Sequence, residues 1–205
     1  MSQRLLLALV AILATAVVGL ALFWQPQLSP PSTAPGAPAG GDFVLDSADG
    51  PVDTAALRGK VVLVYFGYTY CPDICPTSLT VTSQALNQLS PAELALVKTV
   101  FVSVDPERDT PARLKDYVKF FHPSMVGVTG TPAAIAAAAR KYGAIYARQD
   151  VGSTAGYVVD HSAWTYVVAP DGHLAGRIPH GATIEQTLAE IRKWLPSSPT
   201  PKGTS

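Results

Sequence analysis

The 205-residue sequence predicts an α/β fold, a central mixed β-sheet flanked by helices. Three observations carry that prediction. Two apolar runs, residues 61–66 (Val-Val-Leu-Val-Tyr-Phe) and 97–104 (Val-Lys-Thr-Val-Phe-Val-Ser-Val), have the length and β-branched content of buried strands. Two Thr-Pro pairs, Thr110-Pro111 and Thr131-Pro132, each combine an N-cap with a first-turn proline and so mark helix starts between strands. The C-terminal part then reads as strand, Pro-Asp-Gly turn, strand and capped helix.

Taken in order, Phe43-Val44-Leu45 reads as a short strand and residues 61–66 as the first central one. A helix follows Cys75, with Leu79, Leu86 and Leu89 on its apolar side. After the strand at 97–104, Thr110-Pro111 opens a helix in which Leu114, Tyr117, Val118 and Phe121 recur at helical spacing. Thr131-Pro132 opens an Ala-rich helix that Gly143 can end. Residues 144–147 and 156–159 are weaker strand candidates, and 164–168 is a clearer one. Residues 173–178 return as its hairpin partner after Pro170-Asp171-Gly172. Thr183-Ile184-Glu185-Gln186 is a capping box, and Ile184, Leu188, Ile191 and Leu195 share one face of the last helix. No internal repeat interrupts this alternation.

The flanks differ from the domain. Residues 5–24 form a 20-residue apolar run without a charge, about the length that spans a bilayer as a helix. Arg4 precedes the run and no basic residue follows until Arg58, so residues 1–4 are expected in the cytoplasm and the remainder outside it. A cleaved signal peptide with Ala14-Thr15-Ala16 at its end is the alternative. Both readings export the domain to a compartment where thiols can oxidise. Residues 25–41 hold five prolines and no charge and read as an extended linker. The domain proper is then 42–196, and residues 197–205 read as a disordered tail. Lys+Arg equals Asp+Glu at 15 each, which leaves no basic field to attract nucleic acid.

Chemistry concentrates at the two cysteines, in Gly67-Tyr68-Thr69-Tyr70-Cys71-Pro72-Asp73-Ile74-Cys75-Pro76. They stand at a strand-to-helix junction, after the first central strand. Together with the closing hairpin and helix, that placement is the thioredoxin-like arrangement. A structural disulfide would close a very small loop and stabilise little. A thioredoxin-type reductase normally separates its cysteines by two residues, and here three intervene. Such reductases also resemble one another in a proline loop facing the disulfide. The corresponding stretch, Val159-Asp160-His161-Ser162-Ala163-Trp164, has no proline and does have a histidine.

Two thiolates and an imidazole suit copper. Structural zinc would want four protein ligands, so that only zinc with an external fourth ligand stays open beside copper, and an iron–sulfur cluster would want two more cysteines. His122, His173 and His180 read as surface or capping residues. Asp160 is placed to orient the His161 imidazole or to serve as a solvated turn residue. Thr69, two residues before Cys71, also leaves a peroxiredoxin-like peroxidase as a weaker reading.

With these residues in hand, the sequence resembles the Sco/SenC family of copper-binding accessory proteins for cytochrome c oxidase. The resemblance rests on the cysteine segment 67–76, on Ser103-Val104-Asp105-Pro106-Glu107-Arg108-Asp109-Thr110-Pro111, and on Asp160-His161-Ser162. It implies a thioredoxin-like fold and one copper ion, Cu(I) or Cu(II), held by Cys71, Cys75 and His161. It implies a partner, oxidase subunit II, whose binuclear CuA site the protein helps to assemble. That help is copper delivery, which makes the chain a binding protein and not an enzyme, or thiol–disulfide reduction of the CuA cysteines by Cys71 and Cys75. Periplasmic copper chaperones and thiol oxidoreductases are further partners of the same chemistry. Tyr68, Tyr70 and Asp73 are expected to shape the site, and the 105–111 loop to lie near it. The N-terminus lacks an Arg/Ser-rich transit peptide, so the expected location is a bacterial inner membrane, single-pass, with the soluble domain in the periplasm.

Overall fold

The computed structural model describes residues 38–150 and 156–196. The anchor at 5–24, most of the linker and the tail at 197–205 lie outside the described residues. Among the described residues no helix is long and apolar enough to cross a membrane.

Among the described residues, nine strands and five α-helices follow one another: β1 (Val44–Ser47), β2 (Gly50–Asp53), β3 (Val61–Gly67), α1 (Ile74–Leu86), α2 (Pro91–Ala95), β4 (Val97–Ser103), α3 (Pro111–Phe121), β5 (Met125–Val128), α4 (Pro132–Tyr142), β6 (Tyr146–Asp150), β7 (Tyr157–His161), β8 (Trp164–Val168), β9 (Leu174–Pro179) and α5 (Ile184–Trp194). A 3₁₀ turn at Thr54–Leu57 joins β2 to β3.

The central sheet has the order β5-β4-β3-β8-β9. β3, β4 and β5 run parallel, while β8 and β9 are antiparallel to their neighbours, so the sheet is mixed. All seven residues of β3 are buried. That is why its sequence is apolar throughout instead of alternating: both faces of the strand are covered. On one face Tyr65 stacks on Phe101 at 6.1 Å, and Phe101 meets Tyr117 of α3 at 5.4 Å. On the other, Phe66 and Tyr166 meet Tyr142 of α4 at 5.7 and 5.6 Å. Helix α5 packs on α1 through its buried Leu188 and Ile191. Each such side chain contributes about 1.5–3 kcal/mol by leaving water.

The start signals act as read. Thr110 accepts from the Arg113 amide, Thr131 from that of Ala134, and Thr183 forms a reciprocal capping box with Gln186. Gly143 ends α4 in the left-handed region at φ +64°. Some expectations need correction. Helix α1 begins at Ile74 and so includes Cys75 in its first turn; Leu89 lies beyond its end, although it is buried. Leu195 is the C-cap of α5, and β9 begins one residue after His173. Strands β2 and β5 and helix α2 were not anticipated. The two weak strand candidates pair with each other as the β6–β7 ladder, outside the central sheet.

Candidate metal centre

β3 and α1 deliver the two cysteines. β3 ends at Gly67, and the turn that follows is closed by the Cys71 amide donating to the Tyr68 carbonyl at 3.3 Å. A carboxylate sets the course of this turn. Asp109, fully buried, accepts from the Thr69 amide (2.9 Å), the Thr69 hydroxyl (2.6 Å) and the Ser103 hydroxyl (2.7 Å). The cysteine loop is thereby fixed to the end of β4. The Arg113 Nε also donates to the Thr69 hydroxyl at 3.0 Å, so the side chain that suggested a peroxidase serves to anchor the loop.

His161 arrives from elsewhere. It is the last residue of β7, opposite Tyr146 of β6. Its Nε2 lies 3.2 Å from the Cys75 sulfur, and its Nδ1 faces the Ser162 carbonyl at 3.3 Å. A proton on Nδ1 satisfies that carbonyl and leaves the Nε2 lone pair directed at the cysteines. Asp160 does not provide this orientation: it is exposed, on the opposite side of the strand from His161. The rings of Tyr65 and Tyr68 hold the imidazole edge-on at 6.0 and 5.8 Å.

The ligand atoms of Cys71, Cys75 and His161 all lie within 4.8 Å of one another. Three donors about 2.0–2.3 Å from one ion stand roughly 3.5–4 Å apart, so small side-chain adjustments suffice to surround a single cation. No fourth His, Cys, Asp or Glu joins the cluster among the described residues. The donor set therefore suits a soft ion of low coordination number better than structural zinc. Cys71 and His161 border an open depression of about 350 Å³ with Tyr68, Pro72, Ile74 and Val159, while Cys75 is wholly buried.

The two thiols differ electrostatically. The neighbouring Cys75 thiol, His161 and the amides of Cys75 and Asp73 bring Cys71 down to about 4, against some desolvation. The Cys75 amide is available because Asp73, at the N-cap of α1, makes no side-chain cap. A helix N-terminus presenting free N–H groups favours a thiolate. Burial pushes Cys75 up, and the Cys71 charge beside it adds to the rise. The Cys71 thiolate, itself only 8% exposed, borders the depression, and the Cys75 thiol behind it releases its proton once a cation supplies compensating charge.

Gly67 is required for this packing. A Cβ there would stand 2.6 Å from the Cys75 sulfur and 3.0 Å from Tyr65 Cε1. Of the residues expected to shape the site, Tyr68 packs on His161, and Tyr70 lies under the guanidinium groups of Arg108 (4.7 Å) and Arg113 (4.5 Å). The 105–111 loop is near the site as expected, through Arg108 and Asp109. The roles of Gly67, Asp109 and Arg108 were not read from the sequence; the Ser103-to-Pro111 motif flagged the segment without assigning its side chains. The other histidines lie apart: His122 caps α3 and contacts Ser124, His173 pairs with Asp171, and His180 contacts Ser78.

Comparison with known proteins agrees with this geometry. The SCO1/SenC family model matches residues 31–196. The mitochondrial SCO2 homologue of Mus musculus is 38% identical over 174 residues, covering 84% of this chain and 68% of its own length. The chain spans about two fifths to two thirds of the length of the curated relatives it matches. Among solved structures, Bradyrhizobium japonicum ScoI with copper bound superposes with a TM-score of 0.70 at 37% identity, over 77% of this chain and 99% of that one. Apo Sco1 from Thermus thermophilus gives 0.69 at 38%, over 77% and 91%. These likenesses identify the layered sheet as the thioredoxin-like Sco fold, and the chain belongs to the SCO1/SenC family.

Proposed function

We propose that this chain is a copper metallochaperone for cytochrome c oxidase assembly, holding one copper ion through Cys71, Cys75 and His161. The observation that carries the reading is the convergence of two sulfurs and one imidazole nitrogen within 4.8 Å, two of them bordering an open depression. Copper-bound relatives on the same fold support it. Soft-ligand exchange suits such a site, because a partner's donors can approach from the depression as the chain's own let go. The recipient we assign is the binuclear CuA site of subunit II. In the same proposal residues 5–24 anchor the chain in a bacterial inner membrane, and residues 25–41 let the domain reach its partner in the periplasm. The test is to load the reduced chain with one copper and mix it with a metal-free subunit II fragment. The reading expects CuA absorption to appear; no transfer in a fragment that accepts free copper would sink it.

The unequal thiols favour a second reading, in which the chain reduces the CuA cysteines. The Cys71 thiolate attacks the target disulfide, forming a mixed disulfide and releasing one target thiolate. Cys75 then loses its proton and attacks the Cys71 sulfur, releasing the second. Two electrons pass to the target, and the chain keeps a Cys71–Cys75 disulfide. Disulfide and copper forms exclude each other because they use the same sulfurs. Equal copper loading of reduced and oxidised chain would refute that exclusivity, and copper-free reduction of an oxidised fragment would favour the reductase role.

A further inference from the structure

The three ligands come from two separate parts of the fold. Cys71 and Cys75 belong to the β3–α1 junction, whereas His161 ends the β6–β7 ladder, which is not part of the central sheet. Arg108 reaches across from one to the other and touches rings on both sides. The Arg108 guanidinium lies 3.6 Å from the Tyr157 ring centre, 4.7 Å from that of Tyr70 and 5.6 Å from that of Tyr68. Tyr157 begins β7; Tyr70 adjoins Cys71; Tyr68 packs on His161. Arg108 also donates to the Tyr157 carbonyl at 3.0 Å and to Asp105 at 2.5 Å. Asp105 in turn accepts from the Tyr157 hydroxyl at 2.6 Å. Arg148 of β6 stacks on the same ring at 3.7 Å, necessarily on its other face, and pairs with Glu107 at 3.1 Å.

We infer that Arg108 is a positioning residue for the copper site: it clamps the β6–β7 ladder, and with it His161, against the cysteine loop. The inference rests on the proposed copper site. A planar guanidinium can stack between two rings while its edge donates to a carbonyl and a carboxylate; an ammonium cannot do both. Arg108 Nη2 is buried with no hydrogen-bond partner among the described residues, so this part of the group is left to ring contact. The consequence separates the two copper states. Cu(I) is held by soft thiolates and tolerates a misplaced imidazole, whereas Cu(II) prefers nitrogen and depends on it. Loosening the clamp therefore weakens Cu(II) selectively.

The experiment measures Cu(I) and Cu(II) affinities by competition in four forms of the full chain: the parent, Arg108→Lys, His161→Ala and the double variant. Arg108→Leu is carried in parallel, and thermal unfolding confirms that each variant folds. A metal-free readout accompanies them: amide exchange along β7 relative to β3. Arg108→Lys is expected to weaken Cu(II) by about 10–100-fold, as loss of groups that orient a ligand typically does. It should leave Cu(I) within about 3-fold and raise exchange in β7 while β3 stays protected. In the His161→Ala background it should change neither affinity. A folded Arg108 variant that binds Cu(II) like the parent, or an equal loss in both backgrounds, overturns the inference. If His161→Ala itself binds Cu(II) like the parent, the copper-site reading fails first and takes this inference with it.

Discussion

Replacing Gly67 with alanine tests the packing beneath the site. The new Cβ would lie 2.6 Å from the Cys75 sulfur, 3.0 Å from Tyr65 Cε1 and 3.1 Å from Phe101 Cε2. Ordinary contact begins at 3.4 Å, so the sulfur must retreat by about 0.8 Å unless β3 moves instead. β3 is paired on both sides and buried along its length, which makes the sulfur the softer element. Overpacking of this kind costs about 1–3 kcal/mol. At about 2–4 °C per kcal/mol for a domain of this size, the unfolding midpoint of the metal-free protein should fall by about 2–12 °C. The displaced sulfur should also lower copper affinity about 10-fold or more, because all three donors must meet one ion. The assay pairs a thermal scan of the metal-free chain with copper competition. A variant with the parent's midpoint and the parent's copper affinity would refute the claim that Cys75 occupies the space a side chain would need.

Further outcomes follow from the same geometry. Alkylation should be selective for Cys71: its thiolate persists down to about pH 4, while the buried Cys75 stays protonated. His161→Ala removes one source of that lowering and should move the labelling profile to higher pH, measured by mass spectrometry across pH. Asp109→Ala leaves the Thr69 amide, the Thr69 hydroxyl and the Ser103 hydroxyl without their acceptor, and should destabilise by about 3 kcal/mol or more in denaturant titrations. Glu93 is held at about 2, below its ordinary 4.5, first by Arg192 of α5 and then by Ser90. Its folded value lies below its unfolded one, so its stabilisation is present above pH 4.5 and is lost as pH falls toward 2. Arg192→Ala should flatten that part of the acid-unfolding curve.

What could be read in advance depended on where the determining contacts lie along the chain. β3 and β4 are seven-residue strands buried almost throughout, and their apolar runs announce them. The helix starts at Thr110, Thr131 and Thr183 are local chemistry, complete within four residues. β5 is four residues with a glycine in it, and β2 contains Pro51; neither is long enough to show a period. Helix α2 has only five residues, too short for a helical period, although Ser90, Pro91 and Glu93 carry a local start signal in their capping box. The β6–β7 ladder was weak in sequence because most of β6 faces water. At the site, the cysteines and His161 were legible through their motifs. Asp109 and Thr69 are 40 residues apart, and Arg108 and Tyr157 are 49 apart, so their contacts follow from the sheet order and not from any local pattern. Asp160 illustrates the converse: it adjoins His161 in sequence, and the strand's alternation turns it away.

The most direct test of the central claim is anaerobic copper stoichiometry with spectroscopy on the reduced chain, its oxidised form, and the Cys71→Ser, Cys75→Ser and His161→Ala variants. The expected result is one copper per reduced chain, none on the disulfide form, loss of binding on removal of either sulfur, and loss of the nitrogen signature from the Cu(II) spectrum of His161→Ala. Stoichiometric copper with an unchanged spectrum in the His161→Ala variant, or equal loading of the oxidised chain, would contradict it.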